Sequence, residues 1–116
     1  MFSEIRATLS IGPANVVAAI GDQVTLGCAG DAQITYWILS KDGNDSGQLT
    51  IAGPGCSIVN NSQVVDHYTV ESFEGGTRCN LNIFDITVDQ GGVYRCSEGA
   101  NSLSSIFTVI GKRDCM

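Results

Sequence analysis

The sequence predicts an all-β fold, and two observations carry that prediction. Apolar and polar residues alternate in short runs such as Gln23-Val24-Thr25-Leu26-Gly27-Cys28. Turn residues break these runs, at Gly12-Pro13, Gly21-Asp22, Gly30-Asp31 and Gly53-Pro54-Gly55. On the runs stand Cys28, Trp37, Tyr94 and Cys96, the last two entered through the turn Asp89-Gln90-Gly91-Gly92. At 116 residues and 43% hydrophobic, the chain has the length of one domain and enough apolar side chains for a core.

Composition narrows the partners. A net charge of −6 and a pI near 4.4 argue against nucleic acid and against anionic membrane surfaces. Five cysteines in so small a domain point to an oxidising compartment. Asn44-Asp45-Ser46 and Asn60-Asn61-Ser62 are sequons, which makes Asn44 and Asn60 candidate glycosylation sites. No apolar run is long enough to span a bilayer. The start, Met1-Phe2-Ser3-Glu4, lacks a basic region followed by an apolar one. The chain therefore reads as a mature ectodomain with Met1 added, and any membrane anchor of the parent protein lies outside this segment.

Taken in order, the elements are as follows. Glu4 to Leu9 reads as a first strand, and Asn15 to Ala19 resumes it after Gly12-Pro13. Gln23 to Cys28 is a strand with Val24, Leu26 and Cys28 on the core face. Gln33 to Ser40 follows. If Trp37 points inward then so do Thr35 and Leu39, leaving Ile34, Tyr36 and Ile38 outward. A strand with one face on solvent should be polar there, so this outer face is expected to be covered. A polar loop precedes Gln48 to Ala52, and Cys56 to Val59 forms a short edge. Asp66 to Phe73 and Thr77 to Ile83 are strands, the second with Cys79, Leu81 and Ile83 inward. Gly92 to Glu98 places Tyr94 and Cys96 inward and Val93, Arg95 and Ser97 outward. A hairpin tip at Gly99-Ala100-Asn101-Ser102 leads into Leu103 to Ile110. Residues 1–111 make one domain, and 112–116 an exit stub toward a following domain or stalk.

Cys28, Trp37, Tyr94 and Cys96 in that order resemble the pin, packing ring and tyrosine corner of an immunoglobulin domain, and the resemblance runs from about Ile5 to Ile110. It implies an immunoglobulin-like β-sandwich, two antiparallel sheets with Greek-key connections, and a bond from Cys28 to Cys96. Trp37 would fill the space beside the sulfurs, the Tyr94 hydroxyl would return to backbone just upstream, and Leu26 and Leu81 would join the core. Closing so long a loop is worth roughly 4 kcal/mol in the chain-entropy model. The length between Trp37 and the next long strand resembles the variable type (V-set), which adds strands C′ and C″ to the front sheet. The chain departs from the pattern at the corner, where Gln90 stands in place of the usual Asp. The usual Arg at the start of strand D is also missing, so an Arg78–Asp89 ion pair is the remaining candidate. Strand G lacks the glycine bulge of antigen receptors, which argues against a rearranged receptor chain.

Three pairings are open for Cys56, Cys79 and Cys115. Cys56–Cys79 is favoured because it would hold the start of C″ to strand E, with Cys115 left for a neighbouring domain, a second chain or nothing. No CxxC spacing or companion histidine supports a metal site. His67 has no nucleophile motif near it, and no cofactor loop is visible, so the chain reads as a non-enzyme without cofactor. What remains is binding. The resemblance implies a cell-surface recognition or adhesion module of immune or self/non-self type. Its partner would be itself, homophilically, or another immunoglobulin-type ectodomain, met through the sheet of strands G, F, C and C′. The outward residues there are Ile34, Tyr36, Ile38, Val93, Arg95 and Ser97. A soluble, secreted pattern-recognition or carbohydrate-binding domain is the alternative, weakened by 7% aromatics with Trp37 in the core.

Overall fold

The computed structural model describes residues 9–41, 48–99 and 101–111. Asn44, Cys115 and the stub 112–116 lie outside the described residues. The described strands are β1 (Leu9–Ile11), β2 (Val16–Ala19), β3 (Val24–Leu26), β4 (Ala29–Gly30), β5 (Tyr36–Ser40), β6 (Gln48–Gly53), β7 (Ser57–Ile58), β8 (Tyr68–Phe73), β9 (Arg78–Ile83), β10 (Gly92–Glu98) and β11 (Asn101–Ile110). They form two sheets. The back sheet orders as β1-β4-β9-β3, with β8 on the other side of β9. The front sheet orders as β2-β11-β10-β5-β6-β7. The interrupted first strand thus divides between the sheets at Gly12-Pro13, β1 pairing with β4 and β2 with β11. The β2–β11 pair is parallel, the exception to the expected antiparallel ladders, because the chain that has just crossed over runs alongside the last strand in the same direction.

Between the sheets lies one apolar core. Leu26, Trp37, Leu39, Ile51, Leu81, Ile83, Tyr94 and Phe107 are buried in it. Cys28 and Cys96 are bonded across it, in the same cluster as Trp37. A second bond joins Cys56 to Cys79 and so fixes the turn after β6 to β9. The Trp37 indole N–H donates to the Cys79 carbonyl at 3.3 Å, which satisfies the one polar atom of that ring in a dry environment.

At the foot of β10 the Tyr94 hydroxyl donates to the Gln90 carbonyl, and the Tyr68 hydroxyl lies 2.7 Å from it. Since Tyr94 has spent its proton on Gln90, Tyr68 is the donor of that second bond. Gln90 does a different job from the Asp of the resembled pattern. Its Oε1 accepts from the Thr87 N–H at 2.7 Å and from the Thr87 hydroxyl at 2.9 Å, closing a capping box around the short 3₁₀ turn Val88–Gln90. Burial pushes the Tyr68 phenol up to about 12, with the Asp89 charge adding to the effect and the Tyr94 bond opposing it. Tyr94 is raised as well, by burial first and then by Tyr68.

The candidate Arg78–Asp89 ion pair does not form. Arg78 opens β9, opposite Phe73 and Ala29, whereas Asp89 lies beyond that strand's far end. Six residues of strand separate the two ends by about 20 Å. Lys41 tethers the turn instead, its ammonium donating to the Asp89 carbonyl at 2.6 Å. Gly92 marks the closest approach of β10 to β5. It has φ +146°, and a Cβ there would stand 2.7 Å from the Ser40 carbonyl oxygen.

Two elements differ from expectation. Asn61 caps a short helix, α1 (Ser62–Val65), by accepting from the Gln63 N–H, and Val64 is its buried anchor. The hairpin before β11 is tighter than the four-residue tip expected. Glu98 pairs with Asn101, which leaves two residues between the strands, and Gly99 takes φ +59°.

Candidate functional site

The outer faces of the two sheets are built differently. On the back sheet the outward register Thr25–Asn82–Thr69 is a polar ladder. The Thr25 hydroxyl donates to Asn82 Oδ1 at 2.7 Å, and Asn82 Nδ2 donates to the Thr69 hydroxyl at 3.2 Å. Arg78 and Asn80 share that face by alternation with buried Cys79 and Leu81.

The front sheet carries rows of mixed polarity in the equivalent position, with aliphatic side chains among them. One row reads Gln48, Ser40, Val93, Ile106, and the next reads Thr50, Ile38, Arg95, Ser104. Ile106 is 58% exposed, and Val17 on β2, beside Thr108, is 65% exposed. Ile110 continues the line at the end of β11. Val93, Ile38 and Tyr36 are half-buried on the same face. Together Val17, Ile106, Ile110, Val93 and Ile38 make an apolar stripe along the β2–β11–β10–β5 half of the sheet. Arg95 is the one charged side chain in those two rows, and its Nε has no hydrogen-bond partner.

Two residues expected on this face do not reach it. Ile34 is fully buried in the core. The reason is that β5 begins only at Tyr36. Ile34 donates its N–H to Gly76 and accepts at its carbonyl from Gly55, so its backbone is bonded to turns and not to β10. The pleat of β5 does not extend back to it, and its side chain enters the space between the sheets. Ser97 has the outward parity but is completely covered, and its hydroxyl has no partner. It is a short side chain on a central strand, set in register between Tyr36 and Ser102. Tyr36, Ile38, Val93 and Arg95 stay on the outer face. Val17, Ile106 and Ile110 were not singled out from sequence. Alternation on β11 around Phe107 carries the signal for Ile106 and Ile110, whereas Val17 needs the pairing of β2 with β11.

The rim above the stripe is held rigid by a buried carboxylate. Glu98 accepts from the Asp31 and Ala32 N–H groups at 3.1 and 2.9 Å, and Thr35 donates to the Ser97 carbonyl through both its N–H and its hydroxyl. At the opposite end, between β6, α1 and the Val88–Gln90 turn, lies an open cleft of about 570 Å³ whose lining includes Lys41, Gln48, Ser62, Asp66, His67 and Asp89. His67 is half-buried there, its Nδ1 donating to the Phe84 carbonyl at 3.2 Å. The aromatic ring of this cleft belongs to Tyr68, which is buried.

The chain is an all-β immunoglobulin-like sandwich. No protein-family model matches it, nor does any curated protein. Among solved structures it is similar to the first immunoglobulin domain of the mouse polymeric immunoglobulin receptor, with a TM-score of 0.73 and 18% identity over 94% of this chain and 99% of that one. It is also similar to domain I10 of titin, with a TM-score of 0.59 and 13% identity over 88% and 96%. At these identities the likeness is one of fold.

Proposed function

We propose that this is a variable-type immunoglobulin domain of an extracellular recognition or adhesion receptor, and that it binds a protein partner through the apolar half of its front sheet. The variable type is supported by β6 and β7 in the positions of C′ and C″ and by the first strand divided between the sheets. The two disulfides fit an oxidising, extracellular setting. The observation that carries the binding reading is the contrast between the outer faces: the polar ladder of the back sheet is adapted to water, and the Val17–Ile106–Ile110 stripe is not. Aliphatic anchors, Tyr36 and an unsatisfied Arg95 have the makeup of an interface core. The partner is a second copy of the domain or a related immunoglobulin-type ectodomain, and Arg95 offers it a site for a carboxylate. The carbohydrate-binding alternative is not favoured, since among the described residues the Tyr68 ring of the polar cleft is buried and not open for a sugar to stack on.

The test uses Ile106→Asp and Ile38→Asp in sedimentation at graded concentration and in aggregation of cells displaying the domain. Association is expected to weaken by about 2 kcal/mol or more, while the melting temperature of Ile106→Asp stays close to that of the parent. Unchanged association in both variants would move the binding surface away from this sheet.

A further inference from the structure

Away from the stripe lies the side of the sandwich where both sheets end, with α1 resting against β8. β7 pairs only with β6, and β8, six residues long, pairs only with β9 among the described residues. These two edges lie side by side, and free strand edges are templates for pairing with another chain. Exposed apolar side chains add to the hazard here: Ile58 is 38% exposed on β7 and Val65 is 43% exposed at the end of α1. Between them stands Asn60, exposed, in a tight turn closed by the Asn61 N–H donating to the Val59 carbonyl at 3.0 Å. The helix cap is the Asn61 carboxamide, so the Asn60 side chain is not needed for that element. Ser62, two residues on, is also exposed.

We infer that Asn60 is an N-glycosylated position and that its glycan covers what the helix leaves open of the β7–β8 rim, solvating the exposed apolar side chains there. This rests on the extracellular reading above. In the transfer, Asn60 Nδ2 loses a proton and forms a bond to the anomeric carbon of an oligosaccharide carried on a lipid pyrophosphate. The sugar–phosphate C–O bond breaks and the lipid pyrophosphate leaves, with no change of oxidation state. The geometry also leaves the proposed docking stripe open. β7 stands four strand spacings from β11, about 19 Å across the sheet.

The experiment secretes the chain from a eukaryotic host as the parent, Asn60→Gln and Ser62→Ala, each also carrying Ile106→Asp to silence the front sheet. Glycopeptide mapping is expected to find a glycan on Asn60 in the parent and none in either variant. Sedimentation is expected to show the variants self-associating at about tenfold lower concentration than the glycosylated chain, with Ile58→Lys restoring the monomer. Bare Asn60 in the secreted, folded parent overturns the site. Occupied Asn60 with no change in association on its removal overturns the shielding role. The front-sheet reading is judged separately, by Ile106→Asp against its parent with Asn60 intact.

Discussion

The two outer faces of this sandwich follow the same period-2 rule with a different balance of side chains, polar groups bonded to one another on the back sheet and more exposed aliphatic area on the front. On the back sheet Thr25, Asn82 and Thr69 bond to one another across three strands. On the front sheet Val93 and Ile106 stand side by side in register, and Ile38 and Val17 extend the apolar area. The difference teaches where to look for binding. A face whose polar groups are mutually satisfied gains little from a partner, whereas exposed aliphatic area gains about 25 cal/mol for each Å² it buries. Within that face the Arg95 Nε is buried without a hydrogen-bond partner among the protein's own groups.

Ile34 marks the border between face and core, and it gives the largest expected effect. Ile34→Ala should lose about 3 kcal/mol of stability through the cavity it leaves, whereas Ile106→Ala should stay within roughly 0.5 kcal/mol. Urea unfolding of the two variants measures both. If Ile34→Ala unfolds no more easily than Ile106→Ala, Ile34 belongs to the outer face after all.

The layer shared by both sheets should respond to alkali. Tyr68 in the folded chain holds its proton up to about 12, against 10.0 when exposed. Between those values the unfolded chain releases the proton and the folded chain does not. Stability is therefore complete below pH 10 and falls as pH rises, by about 2 kcal/mol at pH 12 from Tyr68 alone. Tyr94 acts in the same direction. Denaturant midpoints from pH 9 to 12 should fall along that course, and Tyr68→Phe should flatten it. A flat profile in the parent would mean that the pair is solvated.

Two smaller effects separate the faces from each other. Tyr36→Ala, at the edge of the apolar area, should weaken partner binding by about 1–2 kcal/mol without a matching loss of stability, as read by titration and thermal melting. Asn82→Ala should do the reverse. It breaks the back-sheet ladder at its middle, costing about 1 kcal/mol of stability and leaving binding unchanged. Loss of binding on Asn82→Ala would shift the docking surface to the back sheet.

Much of this was legible in the sequence because it depends on near neighbours. Alternation around Trp37, Cys79 and Tyr94 sets the inward side chains of β5, β9 and β10 within each strand, and turn residues mark where those strands stop. The Cys28–Cys96 bond follows from the resemblance carried by Cys28, Trp37, Tyr94 and Cys96, Cys56–Cys79 is the favoured one of three open pairings, and the burial of Leu81 follows from the alternation of β9. The tertiary structure decided what depends on residues distant in the chain. Ile34 turns inward because its backbone is bonded to Gly76 and Gly55, 42 and 21 positions away. Ser97 is covered in register with Tyr36, far back in the chain. Val17 joins Ile106 on one face only because β2 pairs with β11 from the other end of the chain. Local periodicity specifies which way a side chain points from its own strand; what then covers it or leaves it bare is set by the pairing of strands far apart in sequence.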